Sequence, residues 1–165
     1  SAANIIDSYL TAIGGKEEVK KITSMNAVIS LDMMGRSFEG VEKRMNPGMM
    51  MMELKMGAIT VMKMVFDGTA GFQQQGPQKK DLSDKEIKEA LDDKGVIPQL
   101  YYITDNAYKI TYLGTGKTDT EDTYRLQVVM PSGSTSVQEY SVTTGLLLKE
   151  ETTSVQAGAD VPQTI

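Results

Sequence analysis

The residues that could do chemistry in this chain are few, and most of them fall in its second half. Gly114-Thr115-Gly116-Lys117-Thr118 has the end of a phosphate-binding loop. That motif wants a glycine where Thr111 stands and a helix after the threonine. The strand-like, acidic stretch TDTEDTYRLQVV follows instead, so a hairpin is the expectation. Asp119, Glu121 and Asp122 lack the frame of a calcium loop and read as a solvated turn. Ser132 and Ser134 flank Gly133 without a nucleophile elbow, and no histidine exists to activate them.

With 0 His and 0 Cys, the chain loses the usual neutral-pH base, the Ser-His pair, the thiol nucleophile and the commonest zinc ligands together. We therefore expect no enzyme, no cofactor and no metal. Methionine is the remaining candidate ligand. Of 12 methionines, 11 lie between Met25 and Met64. Thioethers are soft enough for Cu(I), but without His or Cys in support a plastic apolar wall is the better reading.

The wall lies in Met45–Gln75. At period two, Met50, Met52, Leu54 and Met56 share one face, with Glu53 and Lys55 on the other. Thr60, Met62, Met64 and Phe66 alternate with Ile59, Val61, Lys63 and Val65, so this strand is apolar on both sides and needs cover on both. The candidates for an apolar cavity are Met50, Met52, Leu54, Met62, Met64, Phe66 and Phe72, with Ile87 and Leu91 from a covering helix.

The elements that must position this wall follow in order. Ile5, Ile6, Tyr9, Leu10 and Ile13 recur at helical spacing, and Gly14-Gly15 stops that helix. A helical turn over 16–22 comes next. Strands are expected at 24–33, 37–45, 50–56, 59–66 and 70–74, with Asn46-Pro47-Gly48 as a turn. Gly76-Pro77 and the polar residues after it leave the sheet. Ser83 and Glu86 form a capping box that opens a helix over 84–93, whose narrow apolar face is Ile87 and Leu91. The stretch 95–104 covers, with a helical turn near 99–102. Four strands follow at 108–113, 123–130, 134–142 and 146–155, and 161–165 begins another.

A length of 165 residues suits one domain, and a net charge of -5 gives no footprint for nucleic acid. No apolar run approaches the ~20 residues that span a bilayer. The start Ser1-Ala2-Ala3, without an initiator Met or a leader, reads as that of a processed or trimmed piece.

The N-terminal helix ending in Gly14-Gly15, the Met-rich meander, the turn Phe66-Asp67-Gly68-Thr69-Ala70-Gly71-Phe72 and the strand pair around Val142–Lys149 resemble the outer-membrane lipoprotein-sorting proteins. This is the LolA, LolB and LppX-like superfamily in its Bacteroidetes form. The resemblance implies an α+β fold, a curved antiparallel half-barrel of about nine to eleven strands with helices closing its concave face. It implies one LolA-like domain over residues 1–165 that stops short at its C-terminal end. It also implies a periplasmic or cell-envelope setting and non-catalytic binding of a lipid or an acylated lipoprotein. Such domains also occur at the end of insulinase-type zinc peptidases. The alternative is thus an accessory domain with a filled core, covalently part of a larger exported peptidase.

Overall fold

The computed structural model describes the backbone of residues 1–156 and 159–164 and the side chains of residues 1–153. The chain divides into two compact units, one of residues 1–21 with 98–165 and one of residues 22–97.

The second unit is a meander. β1 (Ser24–Met33), β2 (Arg36–Met45), β3 (Met49–Met56), β4 (Ile59–Phe66), β5 (Gly71–Gln75) and β6 (Gln78–Asp81) pair antiparallel in chain order into one sheet of 6 strands, the first sheet. α3 (Asp84–Ala90) follows. In the other unit, α1 (Ala2–Ala12) and α2 (Lys16–Val19) precede a short 3-10 turn at Pro98–Leu100. There β7 (Lys109–Lys117), β8 (Asp122–Val129), β9 (Thr135–Ser141), β10 (Leu147–Gln156) and β11 (Ala159–Thr164) form a second sheet of 5 strands.

This corrects the expected half-barrel. The 11 strands do not share one curved sheet, because β6 and β7 are not hydrogen-bonded neighbours and each belongs to a different sheet. Residues 82–108 carry the chain from one sheet to the other through α3 and the 3-10 turn. The helices are likewise divided, α1 belonging to the second sheet's unit and α3 to the first sheet's.

Local chemistry explains the differences in the elements. Gln75 pairs with Gln78 around a two-residue loop in which Gly76 has φ 56°, so Gly76-Pro77 returns the chain into β6 rather than out of the sheet. α3 ends at Ala90, three residues before the expected Asp93. β7 runs on to Lys117, so the Gly-Thr-Gly-Lys segment is strand, paired with Asp122, Thr123, Tyr124 and Arg125. The last expected strand is β11, and its Ile165 lies outside the described residues.

The best-packed core is in the second sheet's unit. Leu126, Val128 and Tyr140 are 0% exposed and are joined by buried Ile6, Leu10 and Val19 from the helices. Burying side chains of this size is worth roughly 1.5–3 kcal/mol each. The first sheet has fewer fully covered residues, chiefly Leu54 and Phe66, with Leu82 and Val96 from the segment after β6.

Candidate functional site

Residues directly opposite in an antiparallel ladder share a face, so the register assigns the sides of the first sheet. On one side, the Leu54 face, the rows are Arg44–Met50–Phe66–Gly71, Glu42–Met52–Met64–Gln73 and Gly40–Leu54–Met62–Gln75. Met50, Met52, Leu54, Met62, Met64 and Phe66 are therefore brought together as the period predicts. Gly40 belongs here for a steric reason: a Cβ on it would lie 2.5 Å from Leu54 Cδ2.

The segment after β6 is tied to this face at two points. Gln73 Nε2 donates to Glu86 Oε1 at 3.2 Å, and Arg44 Nη1 donates to Asp93 Oδ2 at 2.7 Å. Arg44 and Gln73 stand on β2 and β5, either side of β3 and β4, so the chain from 86 to 93 crosses over the Met rows. Burial works against the Arg44 charge, but Asp93 and Glu42 outweigh it and raise its pKa above the usual value.

Ser83 caps α3 as the sequence indicates, its Oγ accepting from the Glu86 amide at 3.3 Å while its own amide donates to Glu86 Oε2 at 2.7 Å. The Ser83 amide, its hydroxyl and nearby Lys80 hold the Glu86 carboxyl below its ordinary pKa. α3 itself has no fully buried residue: Ile87 is half-buried and Leu91 is exposed. Met50, Met52, Met62 and Met64 are likewise half-buried.

Phe72 is elsewhere. It pairs with Val65 and so stands on the opposite side, the Val65 face, with Lys79 Nζ 4.0 Å from its ring centroid. This face runs through Asn26, Lys43, Met51 and Val65, with Ser24, Met45 and Met49 in the adjoining row. Most of these residues line a concavity of about 360 Å³ at the β2–β3 turn end of the sheet, to which Met50 and Phe66 also contribute. At its rim Asp67 Oδ1 accepts from the amides of Thr69 and Ala70 at 2.8 and 2.9 Å, and these bonds lower its pKa. Sequence reasoning missed Met45, Met49 and Met51. The signal was present, since Met49-Met50-Met51-Met52 supplies methionine to both faces.

The second sheet's unit holds a buried polar cluster. Tyr140 Oη donates to Gln138 Oε1 at 2.5 Å, and Gln138 Nε2 donates to Tyr102 Oη at 3.1 Å and Glu150 Oε1 at 2.9 Å. Ser136 Oγ donates to the same Glu150 oxygen at 2.6 Å. Tyr9 of α1 meets the Tyr140 ring edge-on at 5.4 Å between centroids. Burial first, then Tyr102, pushes the Tyr140 pKa far up, and burial followed by Glu150 raises that of Tyr9. Neither hydroxyl is poised to give up a proton near neutral pH.

The other sequence candidates are structural in setting. Ser134 donates its amide to Ser132 Oγ at 3.2 Å within their turn. Glu121 accepts from buried Ser141, and its amide donates to Thr118 Oγ1 at 3.2 Å. Among the described residues, no helix is long and apolar enough to cross a membrane.

A search of protein-family models finds none that matches, and no curated protein matches the chain. Among solved structures, it is similar to the crystal structure of a DUF1329 family protein from Desulfovibrio piger, at 16% identity and a TM-score of 0.49, covering 92% of this chain and 72% of that one.

Proposed function

We propose that the chain binds an apolar, lipid-like ligand without chemical turnover, and that the concavity on the Val65 face is its seat. The observation that carries this is a 360 Å³ hollow walled by Met45, Met49, Met51 and Val65 at one end of the first sheet. That volume falls within the ~300–1,000 Å³ of small-molecule sites. Unbranched thioether side chains re-pack around ligands of varied shape. The resemblance to the lipoprotein-sorting proteins supports an acyl chain as the form of ligand and a cell envelope as the setting. The raised pKa values of Tyr9 and Tyr140 argue against those two hydroxyls as acid–base groups near neutral pH.

The test is titration of a fluorescent fatty acid into the protein and its variants. Met51→Gln should weaken binding several-fold while leaving the melting temperature nearly unchanged, because Met51 lines the open hollow, where water can solvate the amide when no ligand is bound. Met64→Gln, beneath the 86–93 crossing, should lower stability and leave affinity alone. A parent chain that binds no probe overturns the proposal.

A second reading has an observation of its own. The core around Gln138 and Tyr140 is filled and hydrogen-bonded, which suits an accessory domain supporting a larger exported peptidase. On that reading neither variant would change any ligand's affinity.

A further inference from the structure

A strand at the edge of a sheet presents a row of unpaired backbone groups, and proteins usually blunt such edges with charge, proline, bulges or brevity. The two sheets have four edge strands. β6 is only 4 residues long and carries Lys79, Lys80 and Asp81. β7 begins and ends in lysine and has an irregular register at Tyr112–Gly114. β11 contains Pro162, which has no amide hydrogen to offer.

β1 is neither short nor broken by a proline or a bulge. It pairs with β2 over 10 residues without a register shift, and its one charged residue is Asp32, near the end. Among the described residues, no backbone bond joins β1 to any strand but β2. At its middle Val28 is 84% exposed, which is unusual for a β-branched residue in the centre of a strand.

We propose that β1 is a self-association edge, where a second copy of this chain pairs its own β1 antiparallel about Val28 and the two first sheets continue as one. A twofold axis normal to the sheet keeps each face on its own side, so a residue must meet one of its own parity. Centred on Val28, that rule sets Val28 against its copy, Met25 against Leu31 and Asp32 against Ser24. Apolar residues meet apolar ones, and no like charges meet. The second copy is the occupant that this self-complementarity selects.

The full chain lacks cysteine, so a single introduced thiol reports cleanly. Antiparallel partners lie about 4.5–5.5 Å apart between Cα atoms, within the reach of a disulfide. Under mild oxidation Val28→Cys should give a disulfide dimer. Ile59→Cys, 63% exposed on the same sheet, should not. Analytical ultracentrifugation across the micromolar range should find the parent dimerising with concentration and Val28→Lys monomeric, with the two melting temperatures equal at dilutions where the parent is also monomeric. A parent that stays monomeric throughout overturns the proposal, as does a dimer that survives Val28→Lys.

Discussion

In the second sheet Leu126, Val128 and Tyr140 are 0% exposed and surrounded by hydroxyls and amides, whereas in the first sheet Met52, Met62 and Met64 lie half-buried among apolar neighbours. The more apolar sheet is the less tightly packed of the two. Packing density follows from shape and from the satisfaction of polar groups. β9 from Thr135 to Tyr140 alternates half-buried with fully buried residues, and its inward Ser136 and Gln138 have partners that fix them. β3 and β4 offer flexible side chains to both faces, and such side chains tolerate imperfect cover.

The largest expected effect tests that contrast directly. Leu126→Ala should cost about 2–5 kcal/mol, since a fully enclosed leucine leaves a cavity that its neighbours cannot refill. Met52→Ala should cost roughly 1 kcal/mol, because its side chain gives up only part of that burial. Denaturant unfolding of both variants measures the difference. Equal losses would break the comparison and show the Met rows to be packed core.

Next in size is the polar cluster. Tyr140→Phe leaves Gln138 Oε1 without its donor in a buried setting, for a loss of about 1–3 kcal/mol. The pH dependence has a definite sign. Folding raises the Tyr140 pKa above its unfolded value near 10. Its contribution is therefore fully present below pH 10 and is lost as pH rises toward the folded value. The parent should destabilise in alkali more steeply than Tyr140→Phe. Parallel alkaline profiles would show that Tyr140 is not the group that burial perturbs.

Much of the secondary structure was legible in the sequence, and the reason is physical. β1 and β2 keep one face more covered than the other, so period two survives there, and turn residues bound β3 and β4; the limits of all four lie within a residue of the expectation. β6 was missed because all four of its residues are exposed, leaving no periodicity to find. Which strands share a sheet was not legible: both sheets are antiparallel, and no residue type marks where one ladder stops. The site was half legible. Period two assembled the Leu54 face correctly, but a run of four consecutive methionines cannot say which parity faces a hollow. Phe72 parts from those residues because the turn Asp67–Ala70 resets the parity between β4 and β5.

The smallest expected effect concerns the segment crossing the Leu54 face. Ser83→Ala removes the acceptor for the Glu86 amide, which at a helix N-terminus costs about 1 kcal/mol. Because α3 has no fully buried residue, the loss should stay local and leave global melting almost unchanged. Its signature is faster amide exchange through Glu86 and Ile87, with faster peroxide oxidation of Met52 and Met64 beneath the crossing. Acid should mimic the variant. Folding lowers the Glu86 pKa, so its contribution is present above the ordinary glutamate value and is lost as pH falls through the folded one. Exchange in α3 should therefore accelerate below about pH 4 relative to β4, after correction for intrinsic rates. If Met51 and Met52 oxidise equally fast in the parent, the segment does not shield the Leu54 face. The two faces of the first sheet would then be alike in access, and the choice of the Val65 face over the Leu54 face as the ligand's seat would lose its support.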